Sequence, residues 1–286
     1  MMEIKFDSYI VRYSEIALKK KNRSFFERKL IDNIKRQAYF QKKVIKNVKR
    51  PRGRVIFESK DEVDLTKVFG ISSYSRAVKA DLEMEKIKKM SQKFIINMKE
   101  KDSFRISCQR LNKKFRKLSP EVENEIGKFV HEKSGKKVRL KDPDYELMIE
   151  IIDENAYLSD HKIRAHAGLP YGVEGALFAL IEDEKSVLAS WMMMKRGCKI
   201  IPFAKDKKDH EKQMAILQKY SPEILDLKRI NKFDDLDDLK KRFKINAIVT
   251  GHTLEDKKNL DTVLVNFSPL IFMDKKEISN KLDEIK

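Results

Sequence analysis

Two cysteines in 286 residues, Cys108 and Cys198, are too few and too far apart for a disulfide framework or a CxxC metal or redox pair. A reducing, cytoplasmic setting is the expectation. Apolar runs are also short: Leu188 to Met194 falls far below the roughly 20 residues that span a bilayer, and the N-terminus lacks the apolar core of a signal peptide. Neither export nor a membrane partner is expected. Both cysteines sit in apolar runs, which predicts small inward-pointing side chains without reactivity.

Charge is what the chain has in abundance. Its 63 Lys and Arg outnumber 45 Asp and Glu by 18, and 41% hydrophobic content is enough for two or three domain cores. A surplus of this size favours a polyanionic partner through counterion release, although a densely charged surface also serves solvation alone. Placement separates the two readings. Arg12, Lys19, Lys20, Lys21 and Arg23 precede or open a helix expected over Asn22 to Phe40, where cations oppose the helix dipole. Arg50, Arg52 and Arg54 surround a turn at Pro51 and Gly53 before a short strand, Val55 to Phe57. Arg110, Lys113, Lys114, Arg116 and Lys117 surround Phe115 in a loop between an alternating strand, Phe104 to Cys108, and a helix start at Ser119-Pro120-Glu121.

Periodicity predicts an α+β first part, with strands at Ile4 to Tyr13, Tyr145 to Ile152 and Asn155 to Leu158 and an amphipathic helix marked by Met84, Ile87, Met90 and Phe94. The loop Gly168 to Gly172 is the clearest boundary. Beyond it, strands at Ala176 to Ile181, Cys198 to Phe203, Glu223 to Leu227 and Ala247 to Thr250 alternate with helices at Ser186 to Lys195, His210 to Lys219 and Asp234 to Phe243. That rhythm predicts an α/β domain with a parallel sheet.

Three sets of residues resemble the tRNA 4-thiouridine synthetase family. The first is Arg12-Tyr13-Ser14-Glu15-Ile16-Ala17-Leu18-Lys19 with Asn22-Arg23 and Phe25 to Leu30; the second is Phe104 to Phe115 with Ser119 and Gly127. The third joins Gly168-Leu169-Pro170, Gly172 and Gly175 to Met193 to Gly197, Ile248 to Gly251, Pro269 to Ile271 and Met273 to Lys275. The resemblance implies a ferredoxin-like domain (1–75), a THUMP domain (76–167) and an ATP-pyrophosphatase-like domain (168–286). It also implies tRNA as partner, with THUMP recognising the acceptor end, and family precedent implies a homodimer.

One motif departs from the family. Where active members carry an SGGxDS turn that receives ATP phosphates on backbone N–H groups, this chain has Glu182, Asp183, Glu184, Lys185 and Ser186. At about 5 Å and an effective dielectric near 20, each phosphate–carboxylate pair costs about 3 kcal/mol before screening. The acids read as favourable first-turn charges, with a Mg²⁺-mediated site as the lesser alternative. For the sulfur transfer that the resemblance implies, no second cysteine in the ATP-pyrophosphatase-like part, CxxC pair or rhodanese segment is recognisable. His131, His161, His166, His210 and His252 lack an aligned nucleophile or ligand set and default to loop or RNA-contacting histidines. No catalytic residue, metal or cofactor is therefore expected, and the nucleotide loop reads as vestigial. The leading expectation is a tRNA-binding scaffold working with a sulfur-transfer or modification enzyme. The alternative is a divergent ATP- and Mg-dependent tRNA sulfurtransferase, and the third is an α/β enzyme unrelated to RNA.

Overall fold

A computed structural model describes residues 4–95, 98–99, 102–205, 209–256 and 262–286. They form two compact units that interleave in sequence. The first takes the described residues of 1–13, 41–64 and 73–164. The second takes 14–40, with helix α1 (Arg23–Phe40), and 65–72 and 165–286.

The first unit is one sheet in the order β2-β3-β1-β4-β7-β6-β5. Its strands are β1 (Ser8–Arg12), β2 (Lys46–Lys49), β3 (Arg54–Glu58), β4 (Ser73–Asp81), β5 (Phe104–Arg110), β6 (Tyr145–Ile152) and β7 (Asn155–Ser159). A two-residue strand, β8 (Ile163–Arg164), also pairs with β4. Every pair is antiparallel except β5 with β6, which are joined through helix α3 (Ser119–Ser134). Val122, Ile126 and Val130 recur at fourfold spacing on α3 and pack with Ile87 and Phe94 of α2 (Met84–Ile95) against Leu147, Ile149 and Ile151 of β6. Gly135 stops α3 at φ +66, returning its N–H to His131.

β4 holds this sheet together, pairing with β1 on one side and β7 on the other. Periodicity gave no sign of it, because both of its faces are largely buried, Ser73, Ser75 and Ala77 on one and Tyr74, Val78 and Ala80 on the other. The other tie is ionic. Arg12 and Arg54 face each other across β1 and β3, and both bind the buried Glu150 of β6. Arg12 donates from Nε (2.9 Å) and Nη2 to Oε1, and Arg54 donates from Nε to Oε2 at 2.7 Å. Arg12 Nη1 reaches Ser75 Oγ at 3.1 Å, and Arg54 Nη2 reaches Gln109 Oε1 at 2.6 Å.

The second unit contains a five-stranded, wholly parallel sheet in the order β11-β10-β9-β12-β13. The strands are β9 (Ala176–Leu180), β10 (Lys199–Ala204), β11 (Lys228–Arg229), β12 (Ala247–Val249) and β13 (Val265–Phe267). Helices α4 (Glu184–Lys195), α5 (Glu211–Tyr220), α6 (Asp237–Phe243) and α7 (Lys275–Ile285) belong to the same unit. The expected fold class, α+β followed by a parallel α/β sheet, is the one observed. Glu223 to Leu227 is not a strand: Ile224 is exposed, and the sheet edge is instead Lys228–Arg229. Asp234 to Phe243 divides into a 3-10 turn, Phe233–Leu236, and the short α6.

His166 and His210 are not surface loop histidines. His210 is buried, and His166 packs edge-on against Trp191 and Tyr220, with its Nε2 3.3 Å from the Tyr220 hydroxyl. Burial, reinforced by Lys67 and Lys195, lowers the His166 pKa to about 4 from its ordinary 6.5.

Removing Glu150 strands two guanidiniums in a buried site, so Glu150→Ala lowers unfolding free energy by about 3 to 5 kcal/mol in urea titration. His166 binds its proton more weakly when folded, so its stabilisation is complete above the unfolded value of 6.5 and is lost as pH falls toward about 4. His166→Gln flattens that part of the stability–pH curve, measured by denaturation at successive pH values.

Candidate nucleic-acid interface and nucleotide-loop region

In the first unit the expected cationic residues divide into internal braces and exposed side chains. Arg110 donates from Nη1 to the Phe115 carbonyl at 2.7 Å and curls the loop after β5 around itself. Asn112 donates to the Asp153 carbonyl at 2.6 Å, and its Oδ1 receives the Lys114 amide at 2.8 Å. The loop is thus fastened from within while Lys113, Lys114 and Arg116 project into solvent. Lys117 is drawn back to Glu125 at 2.5 Å, a carboxylate shared with Lys88 at 3.0 Å and held below its usual pKa by those two lysines. Ser119 does not cap α3; its hydroxyl accepts the Arg110 amide at 3.2 Å. Instead, Glu121 receives the Leu118 amide at the helix start.

Arg50 and Arg52 are exposed on the turn before β3, where Gly53 takes φ +82. Arg12 and Arg54, expected to bind RNA, are instead committed to Glu150, because an unpaired buried carboxylate would cost more than a surface contact returns. In the second unit Lys20 and Lys21 are exposed, whereas Lys19 pairs with Glu174 at 3.2 Å over the Phe26 ring and Arg23 pairs with Glu27 at 2.8 Å.

A further basic patch escaped the sequence reading. Lys137, Arg139 and Lys141 are exposed and alternate with the exposed Val138 and Leu140, beside a groove of about 580 Å³ that includes Arg105, Lys128 and His131. Val138 forms a bridge to Phe104 at the start of β5, whereas the Lys113 to Arg116 loop follows its end. Seven extended residues place the two patches roughly 20 Å apart. The signal was present in Lys136-Lys137-Val138-Arg139-Leu140-Lys141, where cations and apolar residues alternate.

In the second unit the turn between β9 and α4 is filled by its own side chains. Asp183 is the N-cap and accepts the Ser186 amide at 2.9 Å. The Ser186 hydroxyl accepts the amides of Glu182 (3.0 Å) and Asp183 (3.1 Å) and donates to the Asp183 carbonyl. Lys185 points to Asp256 at 2.8 and 2.9 Å, and Asp256 also receives the Thr253 amide and hydroxyl. Lys185 and Thr253 together hold that carboxyl far below its usual range. Gly251 presses against the turn so closely that a Cβ there would lie 2.4 Å from the Ser186 amide nitrogen. The amides of Glu182, Asp183 and Ser186 are therefore engaged within the turn itself, while the Glu182 carboxylate lies 3.5 Å from His252 Nε2 and that of Glu184 pairs with Lys286 at 3.0 Å. Cys108 is half-buried, with burial pushing its thiol up to about 11, and burial also raises the thiol of Cys198. Neither is a ready thiolate. Among the described residues no helix is long and apolar enough to cross a membrane.

A sheet of this kind joined in sequence to a parallel α/β sheet defines a THUMP-bearing multidomain protein. Residues 8–75 match the ThiI ferredoxin-like domain and residues 82–160 match the THUMP domain. Probable tRNA sulfurtransferases of Thermococcus kodakarensis and Moorella thermoacetica are 35% and 37% identical, over 69% and 68% of this chain and 55% and 51% of theirs. The chain thus spans about half the length of these curated relatives. Among solved structures, PH1313 from Pyrococcus horikoshii is 28% identical with TM-score 0.87, covering 97% of this chain and 99% of that one. A 4-thiouridine synthetase in complex with RNA and ATP shares the fold at TM-score 0.80 and 24% identity, over 98% of this chain and 85% of the other. The chain belongs to the tRNA sulfurtransferase, or 4-thiouridine synthetase, family.

Because Asp183 caps α4 without a substitute nearby, Asp183→Ala lowers stability by about 1 kcal/mol, read from the urea midpoint.

Proposed function

We propose that this chain binds tRNA through its ferredoxin-like and THUMP parts and presents it for thiolation without itself adenylating the nucleotide. The observation that carries this reading is the turn at 182–186, whose amides are engaged by Asp183 and Ser186. A partner chain then supplies the adenylating and sulfur-donating groups, in keeping with the raised thiols of Cys108 and Cys198. The division at 1–75, 76–167 and 168–286, a cytoplasmic setting and a homodimer belong to the same proposal.

On the RNA side, Lys113, Lys114 and Arg116 contact phosphates, with Arg50 and Arg52 as a second set and Lys137, Arg139 and Lys141 as a third. Phosphate contacts position without reading sequence. Recognition of a tRNA end therefore comes from its shape, 2′-hydroxyls and unpaired bases. The relatives' name favours a second reading, in which the chain is itself a divergent ATP-dependent sulfurtransferase.

Isothermal titration with ATP and Mg²⁺, first of the chain alone and then with tRNA bound, gives no binding heat under the scaffold reading. Tight, tRNA-dependent nucleotide binding would overturn it in favour of the enzyme. In the same preparation, replacing Lys113, Lys114 and Arg116 together by Ala weakens tRNA binding and lowers the slope of log affinity against log salt by about 2 to 3. An unchanged slope would remove these residues from the interface.

A further inference from the structure

The second unit carries an aromatic and basic groove that the interface above does not include. It lies at the end of α1, where Lys35, Arg36, Tyr39 and Phe40 follow one another at a spacing that sets Lys35 beside Tyr39 and Arg36 beside Phe40. Tyr39 is 78% exposed and Phe40 41%. Pro222 and Ile224, the latter 82% exposed, complete a groove of about 630 Å³. The two rings are 6.3 Å apart and tilted by 54°, so neither covers the face of the other.

Large apolar side chains scattered singly on a surface need no explanation, but three around one groove do. The acid in the groove, Glu223, is balanced by Arg36 at 3.8 Å and by Lys199, which leaves Lys35 as surplus positive charge. A second copy of this chain, itself carrying a net charge of +18, would bring like charge toward Lys35, Arg36 and Lys199. Charge complementarity therefore selects a polyanion, and exposed ring faces select one with unpaired bases, since a duplex hides its base faces in its own stack.

We propose that this groove stacks an unpaired nucleobase of the bound RNA, with Tyr39 as platform, Phe40 and Ile224 as walls, and Lys35 and Arg36 on the adjoining phosphates. The proposal rests on the tRNA-binding reading and extends it to the second unit.

The test uses the full chain with three ligands: tRNA, a short single-stranded oligoribonucleotide carrying a fluorescent adenine analogue, and a blunt RNA duplex. Tyr39→Ala weakens binding to the single strand at least about fivefold and abolishes the fluorescence change. Tyr39→Phe keeps both, and duplex affinity is the same for all three proteins. Equal affinity and fluorescence in wild type and Tyr39→Ala would overturn the stacking site. So would concentration-dependent self-association in sedimentation that Tyr39→Ala removes, which assigns the groove to a second copy. If Tyr39→Ala has no effect while alanines at Lys113, Lys114 and Arg116 still weaken tRNA binding, the stacking proposal falls and the tRNA reading stands. Failure of the wild type to bind either tRNA or the single strand removes both.

Discussion

The first unit depends on one carboxylate held between two guanidiniums. Glu150 lies on β6, separated from β1 by two intervening strands in the sheet order, yet Arg12 of β1 and Arg54 of β3 both reach it. Only a strongly coiled sheet permits that, and right-handed strand twist supplies the coiling. The ion cluster in turn specifies the curl, because a flatter sheet would strand all three charges away from water. Burial lowers the Arg12 pKa while Glu150 opposes the shift. The cluster thus acts more as a geometric requirement than as a source of stability, since burying charges costs nearly as much as pairing them returns.

From that clasp follows the placement of exposed cations. Arg54 ends the turn that carries Arg50 and Arg52, and its Nη2 binds Gln109, one residue before Arg110. Arg110 then folds the loop that projects Lys113, Lys114 and Arg116. In the clusters at Arg50–Arg54 and Arg110–Lys117 one arginine holds the backbone, Arg54 through the Gly53 carbonyl and Arg110 through that of Phe115, while Arg50, Arg52, Lys113, Lys114 and Arg116 remain at the surface. Affinity for phosphate needs only charge, but reading the shape of a folded RNA needs those charges at fixed separations. The internal arginines provide such fixed separations.

Much of this was legible in the sequence, and the gaps have physical causes. The α/β rhythm after Gly168, the alternation in β5 and the fourfold stripe of α1 carry strong periodic signals, and the family motifs named the fold class. β4 was invisible because it is buried on both faces and mixes Ser73, Ser75, Ala77 and Ala80 with Tyr74 and Val78, which leaves no period-2 hydrophobic pattern. Glu223 to Leu227 misled for the opposite reason: Leu225 and Leu227 pack partly buried against the core without joining the sheet, and Ile224 lines a surface groove. Charge runs did not separate exposed arginines from internal ones: Arg12 and Arg54 differ from Arg50 and Arg52 in where the sheet places Glu150. Such long-range pairing leaves no trace in local spacing. His166 likewise reads as a loop histidine until Trp191 and Tyr220 arrive around it.

The turn at 182–186 shows how a helix start can meet part of its own demand for an anion. A helix start presents unpaired amides and a positive dipole end, which favour an anion of some kind. Here Asp183 supplies the anion for the Ser186 amide, and the Ser186 hydroxyl accepts the amides of Glu182 and Asp183 just before the helix. Gly251 closes the space from the opposite side. Restoring glycines at Glu182 and Glu184 would leave the Asp183 cap and the Ser186 hydroxyl in place, and a phosphate would still have to displace both. The site is thus occupied by its own backbone solution, while the basic loop after β5 keeps its exposed cations. That contrast between the two units is the physical ground for the proposal that the chain presents RNA.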